Sequence, residues 1–348
     1  MHDPVRIAVV GLGYWGPNLV RNLVEDPGAE VLYVCDLREE RLEKLGRRYP
    51  AVLLTTECET VLDDPLVEAV VLATPVASHY PLARAALEAG KHVFVEKPLA
   101  AASGEAVDLI RRADEHELVL MPGHTFLYSP PVQEIRSLIA SGALGDIYFI
   151  STSRVNLGLH QPDVSVVWDL GPHDFSILRY WLEEAPVRVS AVARSCVLPH
   201  TPDVAFINLE FGSGTVAHVE LSWLAPSKLR RTTIVGSERM VVYDDTSNEP
   251  VRIFDSGASL PEPESFGEYR LTYRTGDIVS PAIEAAEPLA LEVADFCEAV
   301  RHGGEPRSSA QVGLDVIRTI EAVDGSLARG GSPVDVLYDL SSALHPRP

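Results

Sequence analysis

The stretch of sequence that decides the fold is Val5-Arg6-Ile7-Ala8-Val9-Val10, which runs directly into Gly11-Leu12-Gly13-Tyr14-Trp15-Gly16. An apolar strand that leads through a Gly-x-Gly-x-x-Gly turn into a helix is typical of a unit that binds a dinucleotide. Gly11 permits the tight turn, Gly13 lets the backbone approach a pyrophosphate, and Gly16 allows the helix to pack closely on the strand. The pattern predicts a phosphate site at the N-terminus of a helix over residues 17–25.

A carboxylate after the second strand strengthens this prediction. Asp36 lies 20 residues after Gly16 and follows the apolar run 31–35, where it can accept hydrogen bonds from the ribose hydroxyls of an adenosine. A methyltransferase loop could mimic the glycines alone, whereas Asp36 favours a dinucleotide. Its charge would repel a 2′-phosphate, so NAD is favoured. Arg38 could bind such a phosphate and keeps NADP open, although a solvated arginine at a helix start is the simpler interpretation.

The rest of the chain divides into two patterns. Up to residue 123, apolar strands alternate with helical patterns at short spacing, which predicts an α/β domain over 1–123 with a Rossmann-type, doubly wound parallel sheet. Beyond residue 124 strands dominate, with period-2 alternation over 217–223 and a hairpin signal at Gly212-Ser213-Gly214. We expect residues 124–348 to form an α+β domain with an open, mostly antiparallel sheet, closed by helices over about 284–302 and 310–329.

The composition excludes several classes of protein. The 348 residues carry 29 basic and 50 acidic side chains, a formal net charge of −21, and such a field repels nucleic acid and anionic membrane surfaces. No apolar run approaches the roughly 18 residues of a membrane span, and residues 1–30 do not show the pattern of an export signal, so we expect neither feature. Four cysteines without a Cys-x-x-Cys pair predict a reduced, cytoplasmic protein. No set of His or Cys residues offers a convincing metal site.

Four further segments carry a resemblance to a known family. They are Ala73-Thr74-Pro75-Val76-Ala77-Ser78-His79, Glu96-Lys97-Pro98, Gly142-Ala143-Leu144-Gly145-Asp146-Ile147 and Asp169-Leu170-Gly171-Pro172-His173. In this order after a glycine loop they resemble the Gfo/Idh/MocA oxidoreductases. The resemblance implies NAD(P)-linked chemistry on hydroxyl groups of sugars or cyclitols, and homodimers or homotetramers formed through the C-terminal sheet. The Tyr14–Trp15 pair looks like that of members in amino-sugar pathways, which favours a nucleotide sugar as substrate.

Hydride transfer from a secondary alcohol needs a base for the hydroxyl proton and a group that stabilises negative charge on oxygen. Lys97 follows an apolar strand on the side of the sheet where ligands bind, and its ammonium can polarise the substrate oxygen. An average lysine is a solvated surface charge, but the Glu-Lys-Pro context favours function. Lys97–Pro98 is a candidate cis bond. Glu96 is counted among the residues near the cofactor, and we expect its role there to be mainly structural.

Matched to the family's Asp-x-x-x-His pattern, His173 becomes the general base and Asp169 its substrate-orienting partner. Gly171 and Pro172 predict a helix that starts there, with Asp169 just outside it and His173 in its first turn. The alternative is a helix cap at Asp169 and a hydrogen-bonded core histidine at His173.

Several weaker candidates complete the predicted site. The resemblance makes the loop with Thr74, Pro75 and His79 a cofactor contact, although His79 could equally be an ordinary helix residue. His124 stands where many family members carry arginine or asparagine; it would contact nicotinamide or substrate, or fill the domain junction. Arg154, Asn156, His160 and Gln161 could bind a polyol or a diphosphate, or form a solvated loop. Tyr14 and Trp15 would stack near the cofactor or pack beneath it, and we expect packing for one of them.

Together these features predict an NAD-dependent dehydrogenase that oxidises a ring hydroxyl of a sugar, foremost a nucleotide sugar, or of a cyclitol. Two alternatives stay open. One is an NADPH-dependent ketosugar reductase, and the other is a non-catalytic protein that senses a dinucleotide.

Overall fold

The computed structural model describes residues 3–158, 160, 164–259 and 272–338. The chain folds into two compact units, one with the residues up to Ser129 and Ala286–Ile317, the other with Pro130–Ala285 and the residues from Arg318 onward. The predicted boundary after residue 123 differs from this division mainly because residues 286–317 return to the first unit. Their helix packs on the parallel sheet, where Phe296 meets the edge of Phe94 at 5.8 Å between ring centroids.

The first unit contains a six-stranded sheet in the order β3-β2-β1-β4-β5-β6, and every neighbouring pair is parallel. The strands are β1 (Val5–Val10), β2 (Ala29–Cys35), β3 (Leu53–Thr55), β4 (Ala69–Leu72), β5 (His92–Glu96) and β6 (Leu120–Gly123). Its first five helices are α1 (Gly16–Glu25), α2 (Glu39–Gly46), α3 (Cys58–Asp63), α4 (His79–Glu88) and α5 (Ser103–Glu115). Every residue of β4 is buried, as expected for a central parallel strand covered on both faces.

The second unit is built on a nine-stranded sheet in the order β14-β13-β12-β11-β7-β10-β9-β8-β15, counted over the described residues. Its strands are β7 (Ile147–Leu157), β8 (Pro186–Arg194), β9 (Val204–Phe211), β10 (Val216–Ser222), β11 (Leu224–Gly236), β12 (Met240–Asp244), β13 (Val251–Ser259), β14 (Thr272–Val279) and β15 (Val334–Asp335). Helices α6 (Pro130–Ala140) and α7 (Val166–Leu182) belong to it, α8 (Pro288–His302) belongs to the first unit, and the division falls within α9 (Ala310–Ala328). Strands β7 and β10 pair in parallel and the other neighbours are antiparallel.

Most predicted elements are present. The hairpin around Gly212–Gly214 is confirmed as β9 and β10, and the two C-terminal helices are confirmed as α8 and α9. The short elements β3 and α3 and the strands β8, β11, β12, β13, β14 and β15 were not predicted one by one; the sequence over 244–282, where β13 and β14 lie, carries too little apolar periodicity. Within the described residues, the structure holds no helix that is both long and apolar enough to cross a membrane.

The prediction for the start of α7 is wrong. The helix begins at Val166, where the Ser165 side chain accepts a hydrogen bond from the Trp168 N–H at 3.4 Å, and Pro172 lies inside it. A serine cap outweighed the proline, whose preference for the first helical position is strong but not absolute. Asp169 therefore lies in the first turn of α7 and His173 one turn later on the same face.

Candidate functional site

The glycine loop lies at the carboxyl ends of β1 and β4, where the strand order of the sheet reverses and where open α/β sheets bind ligands. Gly11 has a φ of +98°, and a Cβ there would lie 2.5 Å from the carbonyl oxygen of Ala73. A Cβ on Gly16 would overlap the carbonyl oxygen of Gly11. At Gly13, a Cβ would meet only the Ala73 oxygen among the described residues, at 3.8 Å, so this backbone borders open space. The loop therefore fits a pyrophosphate.

Asp36 joins the end of β2 to the glycine loop. Its Oδ2 accepts a hydrogen bond from the Leu12 N–H at 2.6 Å, and its Oδ1 accepts one from the Arg38 N–H at 2.9 Å. The Arg41 guanidinium lies 3.3 Å from Oδ2, a contact that the sequence did not reveal. The Arg38 side chain is exposed. One carboxylate and two arginines thus surround the place predicted for the adenosine ribose.

The aromatic pair of the loop points outward. Tyr14 is 85% exposed and Trp15 is 41% exposed, and their rings meet edge to face at 5.6 Å between centroids. Neither residue is buried beneath the loop, contrary to the expectation for one of them; Leu12 is the buried apolar residue of the loop.

The loop after β4 is tied to the loop after β5 by His79. Its Nδ1 lies 2.8 Å from the Pro98 carbonyl oxygen and its Nε2 lies 2.9 Å from the Thr74 carbonyl oxygen. Burial, the largest cause, lowers the pKa of His79, and the nearby Lys97 ammonium lowers it further. Thr74 accepts a hydrogen bond from the Ser78 hydroxyl at 2.9 Å, and Pro75 is exposed. His79 therefore positions both loops, a structural role beside the predicted cofactor contact.

Lys97 follows β5 at the carboxyl edge of the sheet and is half-buried. The predicted cis bond between Lys97 and Pro98 is confirmed. Burial raises the pKa of the adjacent Glu96 to about 7, while the Lys97 ammonium opposes that rise. The same ammonium contributes to the lowered pKa values of His79 and His124. Lys97 is thus a cation at the ligand-binding edge with titratable groups around it.

His124 lies directly after β6, next to the end of β5, since Glu96 pairs with Gly123 across the two strands. The side chain is 1% exposed, and neither ring nitrogen has a hydrogen-bond partner in the described part of the chain. Burial, together with Lys97, lowers its pKa to about 3. The imidazole is therefore neutral and keeps one donor and one acceptor for a ligand or water.

In the second unit, Asp169 and His173 are both half-buried on α7. The indole N–H of Trp223, a residue 1% exposed, donates a hydrogen bond to Asp169 Oδ2 at 3.2 Å. His160 packs edge-on against the same indole, 5.3 Å between centroids, and its Nε2 lies 3.8 Å from Asp203 Oδ2. Trp223 thus fixes one of the predicted site residues, Asp169, and packs against another candidate, His160.

The residues of the predicted polar run that begins on β7 lie in different surroundings. Arg154 is 4% exposed, and its Nε donates a hydrogen bond to Asp174 Oδ2 at 2.5 Å, which favours a structural role over contact with substrate. Asn156 lies half-buried near the end of β7. Gln161 lies outside the described residues. Among the residues the structure describes, no group of three or more His, Cys, Asp or Glu side chains could hold a metal ion.

Comparison with known proteins places this geometry in a family. Residues 5–124 match the model of an oxidoreductase family with an NAD-binding Rossmann fold, and residues 132–242 match the model of the Gfo/Idh/MocA C-terminal domain. The chain belongs to the Gfo/Idh/MocA oxidoreductase family. The predicted family, fold class and NAD(P)-dependent oxidoreductase class are confirmed.

Relatives within the Gfo/Idh/MocA family match along almost the whole chain. An NAD-dependent scyllo-inositol 2-dehydrogenase of Bacillus subtilis (strain 168) is 28% identical over 97% of both chains. A D-apiose dehydrogenase of Paraburkholderia graminis is 25% identical over 94% of this chain and 89% of its own. The crystal structure of GenD2 from gentamicin A biosynthesis, in complex with NAD, superposes with a TM-score of 0.81 at 26% identity over 97% of both chains.

Proposed function

We propose that this Gfo/Idh/MocA protein is an NAD-dependent dehydrogenase that oxidises a secondary ring hydroxyl of a sugar or a cyclitol. The observation that carries the proposal is a half-buried ammonium, Lys97, at the carboxyl edge of the sheet whose switch point holds the glycine loop. The substrates named for the inositol and apiose dehydrogenases support the polyol class. The Tyr14–Trp15 sequence favours a nucleotide sugar within that class.

The glycine loop and Asp36 would hold NAD, which accepts a hydride at the C4 atom of its nicotinamide ring when bound. Lys97 donates a hydrogen bond to the substrate oxygen and stabilises the negative charge that develops there. His173 accepts the hydroxyl proton at its imidazole. Asp169, fixed by the Trp223 indole, accepts a hydrogen bond from a second hydroxyl or from the base.

Replacing Lys97 tests the central claim. Lys97→Met should lower turnover by at least about 100-fold, the usual contribution of a positioned acid or charge stabiliser, and should leave NADH binding within a few-fold of wild type. Lys44→Met removes an exposed lysine of α2 and should change neither quantity. Wild-type turnover in the Lys97 variant would remove this residue from the mechanism.

The choice of cofactor depends on the surroundings of Asp36. Its carboxylate opposes a 2′-phosphate, whereas Arg41, 3.3 Å from Oδ2, supplies a cation at the same place. Fluorescence titration should show tighter binding of NADH than of NADPH, and Asp36→Ala should reduce or reverse that preference. Tighter binding of NADPH by the wild-type protein would favour the alternative, a ketosugar reductase.

The substrate is identified by thermal shift in the presence of NAD, with inositols, free sugars, and UDP- and dTDP-sugars as separate arms. One ligand that raises the melting temperature only together with NAD, and that is then oxidised, supports the dehydrogenase. Tight NAD binding without turnover of any compound favours the sensing alternative.

An assembly through the C-terminal sheet remains part of the proposal. Val192 on β8 and Phe206 on β9 lie opposite each other and are 58% and 41% exposed, and Val216 on β10 and Phe149 on β7 are opposed in the same way at 47% and 42%. Two such exposed apolar pairs on one sheet, with Glu220 opposite Phe206 and Glu210 opposite Val216, are suited to pairing with a second copy. Light scattering should show a dimer or tetramer, which Phe206→Glu should weaken.

A further inference from the structure

One buried imidazole at the carboxyl edge of the first sheet makes more contacts than its neutral form can satisfy. His79, the first residue of α4, is 1% exposed. Its Nδ1 lies 2.8 Å from the Pro98 carbonyl oxygen, and its Nε2 lies 2.9 Å from the Thr74 carbonyl oxygen. Both partners are acceptors, whereas a neutral imidazole carries one N–H and an imidazolium carries two. Both contacts are therefore hydrogen bonds only when the ring holds two protons.

The surroundings of the ring decide how many protons it holds. Burial and the Lys97 ammonium lower the pKa of His79, and the two carbonyl oxygens oppose this decrease without cancelling it. Two acids lie on neighbouring elements, Glu96 at the end of β5 and Asp108 on α5, where Asp108 accepts a hydrogen bond from the Tyr80 hydroxyl at 3.1 Å. Within the described part of the chain, neither is among the charges that shift the pKa of His79. The ring is therefore neutral at about pH 8 and takes up its second proton only in acid.

The burial of the two carbonyl groups decides which nitrogen keeps the single proton. Pro98 is buried and so is its contact with Nδ1, so this carbonyl oxygen would lose a donor that water cannot replace. Thr74 is half-buried and its contact with Nε2 is partly accessible, so water can take the place of the ring.

The loop that contains Thr74 is also closed by hydrogen bonds of its own. The Ser78 hydroxyl lies 2.9 Å from Thr74 Oγ1 and 2.7 Å from the Pro75 carbonyl oxygen, and the Ser78 N–H donates to the same Pro75 oxygen at 2.9 Å. This loop keeps its shape without a donor from the ring. The neutral imidazole therefore keeps its proton on Nδ1, where it donates to Pro98.

We propose that His79 is a positioning residue that links two loops of the site through its protons. Its Nδ1–H holds the Pro98 carbonyl next to Lys97 whenever the protein is folded. A second proton on Nε2, taken up in acid, ties the Thr74 carbonyl to the same ring. The consequence for catalysis rests on the proposed role of Lys97.

Nitrogen-15 NMR of the protein without substrate or cofactor tests the location of the protons. The His79 ring is assigned through its own backbone amide, so this test needs no variant. At about pH 8, the spectrum should show a protonated Nδ1 and a bare Nε2. Acidification should protonate Nε2 with a pKa below the ordinary 6.5, and the backbone resonances of Thr74 should shift with the same midpoint. A proton on Nε2 at pH 8, or a ring that stays neutral until the protein unfolds in acid, would overturn the proposal.

Two variants then separate the roles of the two nitrogens. The amide nitrogen of asparagine can lie near the position of Nδ1, and that of glutamine near the position of Nε2. His79→Asn therefore keeps a neutral donor for Pro98, whereas His79→Gln keeps only the donor for Thr74. The kcat of His79→Gln should fall roughly 10- to 100-fold, because a displacement of about 1 Å at a catalytic group can cost that much. The kcat of His79→Asn should be about tenfold higher than that of His79→Gln.

The exposed His116, which follows α5, supplies the control, since His116→Gln should leave kcat unchanged. Circular dichroism verifies that each variant is folded, and if either is not, the wild-type NMR titration decides alone. Equal kcat values in the two His79 variants, or a higher value in His79→Gln, would overturn the positioning role. If the wild-type protein oxidises no polyol, the proposed function fails, while the NMR titration still decides whether His79 links the two loops.

Discussion

Replacing Asp174 by asparagine should destabilise the second unit by about 3–5 kcal/mol, the usual cost of removing one partner from a buried ion pair. Asp174 and Arg154 are each 4% exposed. The Arg154 Nε–H donates to Oδ2 at 2.5 Å, and the Thr152 hydroxyl donates to Oδ1 at 3.0 Å. The variant would remove the Asp174 charge beside a guanidinium that stays in the core.

The expected change in melting temperature follows from the size of the unit. At about 2–4 °C per kcal/mol for a unit of 150–250 residues, the loss corresponds to a decrease of about 6–20 °C. Calorimetry of the whole chain would measure it. The double variant Arg154→Met/Asp174→Leu removes both charges and should recover most of the loss.

An exposed ion pair of the same sheet provides the control. Arg188 and Asp335 lie 3.0 Å apart with side chains 49% and 72% exposed, and Asp335→Asn should cost less than about 1 kcal/mol. A loss of that small size in Asp174→Asn would refute the structural role of the pair. So would Arg154→Met if it raised the KM for substrate without lowering the melting temperature, since that result indicates the substrate contact expected from the sequence.

Three further changes are informative. Gly11→Ala should lower NADH affinity at least tenfold and destabilise the first unit by a few kcal/mol, because its Cβ would meet Ala73 in a strained backbone. The control is Gly90→Ala, with φ +72° and nothing near its Cβ, which should cost only about 1 kcal/mol and leave NADH binding intact. Equal losses of stability and of NADH affinity in the two variants would contradict this prediction. Trp223→Phe removes the donor to Asp169 and should lower kcat/KM roughly tenfold with unchanged NADH binding. An unchanged kcat/KM would show that this hydrogen bond does not contribute to catalysis. Glu292 keeps its proton in the folded state above its ordinary pKa of 4.5, so the folded state binds more protons than the unfolded state there. The wild-type free energy of unfolding should therefore fall relative to Glu292→Gln as pH rises, by at most about 1.4 kcal/mol per pH unit; parallel curves in urea titrations would count against a protonated Glu292.

The nucleotide half of the fold could be predicted because its signals are local. An apolar strand, three glycines and Asp36 lie within 32 residues. The glycines are required by the tight turn and the close backbone approach, and Asp36 by the ribose, wherever this motif occurs. Lys97 was singled out by a short motif that follows a recognisable strand and resembles that of the family, and its catalytic role stays a prediction. In this half of the chain, the residues that form the strand, the glycine loop and the helix are also the residues whose pattern predicts them.

The features that escaped prediction depend on contacts between distant residues. Glu292 follows Thr125 by 167 positions, and Trp223 follows Asp169 by 54, so no local pattern relates the partners. In the sequence, Arg154 was one polar residue among several. Its pairing with the buried Asp174 depends on how α7 packs against the sheet, which the local sequence does not show. The start of α7 was misplaced for a local reason, since a serine cap and a proline gave competing signals.

The return of residues 286–317 to the first unit affects the order in which the protein can mature on the ribosome. Thr125 and Tyr128 are synthesised early, yet the acids of α8 that their hydroxyls bind emerge only after strands β7 to β14 of the second unit have been translated. A nascent chain that stops at residue 129 would expose the apolar surface around Phe94 that Phe296 later covers. Completion of the dinucleotide unit is therefore a late event in biosynthesis, and a gene fragment that ends at this point should yield an aggregating polypeptide rather than an independent nucleotide-binding domain.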